Sequence, residues 1–198
     1  MDHNMNYNFI VGQNEQSAWL PGEDIPEILG NIANPVGIEI GTDGGITTLH
    51  LLNSIPTLKL HGVDPYIPYN DWGGNPFSWH GVVGQLNDDS NDSYNVFIKR
   101  IEPYSDRYTH HRKTSDDAVA DFEDESMDFI FIDGLHTYEQ VLKDCKSYYP
   151  KLKSGGLFCG HDYTTINGVQ RAVNEFATSL GRTSIEVMRQ DVWFWKKA

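Results

Sequence analysis

Cysteine is scarce in this chain: Cys145 and Cys159 are the only two among 198 residues. No CxxC spacing occurs, which argues against a disulfide framework or a cysteine zinc site and leaves two reduced, packed thiols. Long apolar runs are missing as well, and no window approaches the ~18 continuous residues of a membrane span. Positive charge is in short supply, with 15 Lys and Arg against 28 Asp and Glu and a formal charge of −13. Such a surface repels phosphate backbones and anionic lipid, so neither nucleic acid nor a membrane is the expected partner, and a small molecule fits better. The opening stretch "MDHNMNYNFIVGQNEQ" lacks the basic start and apolar core of a signal peptide, so a cytoplasmic setting is expected. There is no GxGxxG and no glycine loop ending in Lys-Ser/Thr, which disfavours a dinucleotide or a P-loop nucleotide.

What is present is an alternation of strands and helices over a single domain, residues 1–198. "VGIEI" (36–40), "LKLHGVD" (58–64), "MDFIFID" (127–133) and "GGLFCGHD" (155–162) are short apolar runs that end in glycine or a polar residue. Strands buried on both faces of a parallel sheet have this character. "DIPEILGNIA", "TYEQVLKDCKSYYPKL" and "GVQRAVNEFATSLG" carry helical spacing, the last closing on Gly181 as a C-cap. "SIEVMRQDVWFWKK" reads as two strands around a turn, adding an antiparallel edge. The expected fold is therefore α/β with helices on both faces of a mostly parallel sheet. Residues 66–105 exceed the usual βα connection and are expected to form an insertion or lid over the acceptor site. Trp72, Phe77, Trp79 and His80 give that stretch more large rings than a solvent loop carries, and a helix is expected near 94–101.

Two groups of residues carry chemistry. "EIGTDGGITT" (39–48) places Gly41, Gly44 and Gly45 between a strand and a helix, where backbone N–H groups can approach a ligand. Alone, it reads equally as a tight structural turn. Asp64 lies nineteen residues beyond Gly45 at the next strand's end, where an acid can accept hydrogen bonds from both ribose hydroxyls. A ribose without a phosphate cradle points to S-adenosylmethionine rather than NAD, while a strand-end turn remains the plain alternative for Asp64. The second group is Asp133, His136 and the pair His161-Asp162, all expected on the carboxyl edge of the sheet. The rival reading makes Asp133 a helix cap and His136 a packed core histidine. The coincidence of four strand-end polar groups, Asp64, Asp133, His136 and His161-Asp162, favours a reaction site.

The blocks "GIEIGTDGGITT", "LHGVDPY", "DFIFIDGLHTYEQVLKDCKSYYPKLKSGGLFCGHDY" and "GVQRAVNEF" resemble, in this order, class I S-adenosylmethionine-dependent methyltransferases. They are most similar to the methyltransferase domain 24 branch, related to the sugar O-methyltransferases of macrolide and aminocoumarin biosynthesis. The resemblance spans about residues 34–178 and implies a Rossmann-like, seven-stranded sheet of order 3-2-1-4-5-7-6. It implies that Glu39, Gly41, Thr42 and Gly45 surround the methionine and ribose portion of S-adenosylmethionine and that Asp64 holds the ribose. Ser115 and Asp116, in "TSDDA", would neighbour adenine. Asp133 would face the sulfonium and the acceptor, and His136 matches the position of a general base, assisted by His161. Metal-dependent relatives end the fifth strand with Asp-Asp or Asp-Asn; His161-Asp162 departs from this. A magnesium site on Asp133 and Asp162 stays open, as do a manganese or iron site that includes His161 and no metal at all.

The sequence thus leads to an S-adenosylmethionine-dependent O-methyltransferase acting on a small hydroxylated acceptor such as a sugar. Relatives are often dimeric, so a homo-oligomer is open too. The alternative from another class is a non-catalytic binding module that retains the fold.

Overall fold

The computed structural model of the protein describes residues 20, 22–30, 32–67 and 90–198, with side chains from 94 onward in the last span. Of the expected insertion, residues 68–89 lie outside the described residues, and Trp72, Phe77, Trp79 and His80 lie there with them.

Along the chain come α1 (Ile25–Leu29), β1 (Val36–Ile40), α2 (Ile46–Ser54), β2 (Lys59–Val63), α3 (Ser90–Ile101), β3 (Tyr108–His111) and α4 (Ser115–Ala118). Then follow β4 (Met127–Ile132), α5 (Tyr138–Tyr148), β5 (Leu152–Gly160), α6 (Asn167–Ser179), β6 (Glu186–Met188) and β7 (Val192–Lys196). The strands form one seven-stranded sheet of order β3-β2-β1-β4-β5-β7-β6. β1 to β5 run parallel, while β7 is antiparallel to both β5 and β6. This is the expected Rossmann-like sheet with its terminal antiparallel hairpin.

β4 shows why the central strands read as unbroken apolar runs. Side chains alternate across a strand, so Ile130 and Ile132 enter the core beneath α5 and α6 while Phe129 and Phe131 enter the core beneath α2 and α3. With both faces covered, β4 carries no polar residue from Phe129 until it ends at Asp133; Asp128, near its start, is only half-buried and pairs with Lys153. Each of these side chains stabilises the fold by roughly 1.5–3 kcal/mol through burial. Trp193 and Trp195, both fully buried, fill the α5–α6 side of β7. β5 begins at Leu152, three residues before the expected Gly155, because a register shift between Met127 and Phe129 lets Leu152 pair with Met127.

α5 starts where its cap dictates. The Thr137 side chain accepts a hydrogen bond from Gln140 N, satisfying one of the first-turn amides. Thr137, not Asp133, caps this helix, so the carboxylate at the end of β4 is left for other partners. Gly181, with φ +75°, follows α6 in the left-handed conformation expected of a glycine terminator.

Candidate active site

The β1–α2 turn and the end of β4 touch through backbone. Gly41 has φ +84°, and a Cβ there would lie 2.0 Å from the Asp133 carbonyl oxygen. Only glycine permits both the conformation and the approach. Gly41 N donates to Val63 O at 2.8 Å and Asp133 N donates to Ile40 O at 2.8 Å, so the three strand ends are tied together.

Asp64 locks the turn. One carboxylate oxygen accepts from Thr42 N at 3.0 Å and Asp43 N at 3.1 Å, and the other from Tyr66 N at 2.8 Å. Tyr66 adds a second tie, its hydroxyl donating to Asp43 O at 2.6 Å and lying 2.9 Å from Thr42 Oγ1. Burial raises the Asp64 pKa against the opposing effect of these amide bonds. Of about four lone-pair positions on a carboxylate, three are engaged by the protein's own backbone. Gly45, with φ +80°, packs against Phe97, 2.8 Å from where a Cβ would stand. Behind the turn lies Glu39, 1% exposed, which accepts from Thr48 Oγ1 at 2.6 Å. Burial pushes its pKa up to about 8 despite that bond, and the neighbouring charges of Asp133 and Asp64 add to the rise. The β1–β2 side of the edge is therefore a concentration of carboxyl groups.

The β4–β5 side brings Asp133, His136, His161 and Asp162 together. Asp162 Oδ2 lies between two imidazoles, 3.0 Å from His136 Nε2 and 3.2 Å from His161 Nδ1, and Asp133 Oδ1 is 3.6 Å from each of the same two nitrogens. His161 is 3% exposed. Burial opposes its charge, but the hydrogen bonds and charges of Asp133 and Asp162 outweigh burial and lift its pKa to about 10. In return the imidazoles hold both carboxyls below their usual range, again against burial. The two carboxylates thus favour the protonated form of His161, in which both ring nitrogens donate. Among the described residues, Asp133, His136 and Asp162 each offer an atom within 4.8 Å of the others, a spacing that could hold a metal ion. Of the expected set Asp133, Asp162 and His161, the two carboxylates belong to this grouping, and His161 Nδ1 stands 3.6 and 3.2 Å from them. Two carboxylate oxygens and one nitrogen suit manganese better than magnesium.

Asp162 adopts φ +60°. Its loop is pinned by Asp191, whose carboxylate accepts from the amide and hydroxyl of both Thr164 and Thr165, at 2.7–3.0 Å. The Thr165 hydroxyl also faces Asp162 Oδ1 at 3.0 Å.

Ser115 and Asp116 stand at the start of α4, held by α5 and apart from both groups above. Gln140 Nε2 reaches Ser115 Oγ and Asp116 Oδ1, and Lys143 pairs with Asp116 at 2.5 Å. Sequence reasoning missed Thr48, Tyr66, Asp144 and Asp191. Asp144 left a signal: it falls on the Val141–Cys145–Tyr148 stripe, where a solvent-facing acid has no place. Asp191, 26 residues from its partner Thr165, left none.

A model of the methyltransferase-domain family matches residues 38–163, well over half of the chain. No curated protein matches it in sequence. Among solved structures, the O-methyltransferase NovP superposes with a TM-score of 0.68 at 16% identity, over 89% of this chain and 78% of its own. A precorrin-6y C5,15-methyltransferase from Geobacter metallireducens GS-15 gives 0.59 at 14%, covering 88% and 86%. A spermidine synthase from Thermotoga maritima gives 0.54 at 17%, covering 89% and 59%. At these identities the likeness shows the fold alone.

Proposed function

Because the chain belongs to the methyltransferase-domain family, we propose that it is an S-adenosylmethionine-dependent O-methyltransferase acting on a small hydroxylated acceptor such as a sugar. The observation that carries this reading is the backbone contact of Gly41 with Asp133. It sets the β1–α2 turn against the acid–imidazole cluster, so a donor resting on the turn would have its reactive end beside Asp133 and His136. Alignment of this kind is most of what a displacement at an activated methyl group requires.

The charge of the site supports the donor. Asp133 and Asp64 both raise the Glu39 pKa, and a mouth edged by these two carboxylates repels a pyrophosphate and attracts a sulfonium and an ammonium. When bound, S-adenosylmethionine supplies a methyl group already activated by its positive sulfur. Glu39, Gly41, Thr42 and Gly45 would line its methionine and ribose portion. Asp64 would offer the ribose its remaining lone pair while holding the turn, and Ser115 and Asp116 would border adenine. At the acceptor, His136 takes the hydroxyl proton, and Asp162 and Asp133 stabilise the resulting imidazolium. His161, held as a cation, fixes both carboxylates.

A second reading rests on the 4.8 Å grouping of Asp133, His136 and Asp162. These three would hold a manganese-type ion, which would lower the pKa of an acceptor hydroxyl, and His136 would then be a ligand rather than a base. A binding module without catalysis remains the alternative from another class, and a homo-oligomer is part of the proposal for partners.

Calorimetric titration with S-adenosylmethionine and NAD, with EDTA or with added Mg²⁺ or Mn²⁺, tests the reading. Micromolar binding of S-adenosylmethionine and none of NAD is expected; no binding under any metal condition would sink the proposal. His136→Ala should lower turnover on a responsive sugar acceptor by about 10²–10⁴-fold and leave cofactor affinity near that of the wild type. Wild-type turnover that persists in EDTA assigns His136 as base, and turnover restored only by Mn²⁺ assigns it as ligand.

A further inference from the structure

α5 carries a carboxyl group that the reaction does not use. Asp144 sits on the buried stripe of the helix with Val141, Cys145 and Tyr148 and is 1% exposed. A carboxylate there is costly, and burial raises its pKa to about 6. Hydrogen bonds from Ser115 and Gln140 oppose that rise, the charge of Asp116 adds to it and that of Lys143 opposes it.

Everything polar around Asp144 leads to one segment, the turn into α4. Gln140 Nε2 donates to Asp144 Oδ1 at 3.0 Å and reaches Ser115 Oγ at 3.1 Å and Asp116 Oδ1 at 3.2 Å. The amide has two hydrogens for three acceptors, so it ties them into one network. Tyr148 donates its hydroxyl to Ser115 O at 2.8 Å, and Lys143 Nζ lies 2.5 Å from Asp116 Oδ2. Residues 140, 143, 144 and 148 recur on one side of a helix. Together they grip the hydroxyl and carbonyl of Ser115 and the carboxylate of Asp116. Ser115 and Asp116 are the residues assigned above to the adenine ring.

We infer that Asp144 is a positioning residue for adenine recognition: acting through Ser115 and Gln140, it sets the geometry in which the turn after β3 meets the base. The inference rests on the cofactor reading given above. A buried acid that served only packing would be better replaced by an apolar or neutral residue. Its presence makes sense if the network orients polar groups that must meet an aminopurine edge.

The test uses the purified protein, Asp144→Asn and Gln140→Ala, titrated by calorimetry with S-adenosylhomocysteine and with S-inosylhomocysteine, which carries hypoxanthine in place of adenine. Thermal midpoints are measured in parallel. Asp144→Asn is expected to bind S-adenosylhomocysteine about tenfold more weakly, the loss of roughly one hydrogen bond of this kind. Its preference for adenine over hypoxanthine narrows, and its thermal midpoint holds or rises because a buried charge is gone. Gln140→Ala, which leaves the buried acid in place, should show a smaller loss of affinity in the same direction. Unchanged affinity in both variants overturns the inference. So does an equal loss for both ligands with a falling midpoint, the mark of packing alone. If the wild type binds neither ligand, the cofactor reading falls and takes this inference with it. Wild-type binding with unaltered variants removes the inference alone.

Discussion

The two halves of the sheet edge are built from different materials. On the β1–β2 side, an acid is met by main chain: Asp64 accepts three backbone amides, donors that carry no proton to lose near neutrality. On the β4–β5 side, acids are met by imidazoles, with Asp162 between His136 and His161. Main-chain donors cannot change their protonation state, whereas imidazoles can. The first half is suited to holding a ligand of constant shape and the second to passing a proton.

The largest way to break this division is at its seam. Gly41→Ala would place a Cβ on the Asp133 carbonyl while demanding a left-handed alanine. Strain and overpacking together should cost about 3–5 kcal/mol, read as a lower urea midpoint with an unchanged slope.

pH sharpens the comparison with an effect of intermediate size. The Glu39 pKa is raised from 4.5 to about 8, so the folded protein keeps a proton that the unfolded chain releases. Its contribution is fullest below pH 4.5 and declines as pH rises to about 8. His161 is raised from 6.5 to about 10, so its stabilising contribution is complete below 6.5 and is lost as pH rises through 10. Thermal midpoints in EDTA should therefore show Glu39→Gln flattening the acid-to-neutral part of the profile and His161→Gln the alkaline part. Identical profiles for the two variants would mean that the halves do not titrate separately.

The smallest effect belongs to the cap. Thr137→Ala removes one side-chain acceptor at the start of α5 and should cost about 1 kcal/mol in chemical denaturation. A larger loss would show that the cap also holds the loop of Asp133 and His136.

Much of this was legible in the sequence, for reasons that particular residues make clear. β4 betrayed itself because its doubly covered part, Phe129 to Ile132, is an unbroken apolar run that stops at Asp133. Asp133, His136, His161 and Asp162 followed from being the places where two such strands stop. The turn at Gly41 was legible as a turn, but its contact with Asp133 was not, since a glycine reveals freedom and not what approaches it. β3 stayed hidden: of Tyr108 to His111 only Tyr108 is buried, so an edge strand there has no apolar run to display. The engagement of Asp64 by the amides of Thr42 and Asp43 was equally hidden, because backbone donors carry no residue identity.

The grip of Asp191 on Thr164 and Thr165 has a consequence for the order in which the protein is made. Synthesis runs from the N-terminus, so the loop carrying Asp162 emerges well before the carboxylate that pins it. Until residues 192–196 follow, β5 also presents an unpaired edge with Phe158 and Cys159, which later pair with Trp195 and Phe194. Nascent chains would then hold the acids and imidazoles of the site in a loose arrangement beside an adhesive strand. The last hairpin would act as a latch: its arrival covers the apolar edge of β5, leaves the short β6 outermost and brings Asp191 onto Thr164 and Thr165 beside Asp162 in the same event.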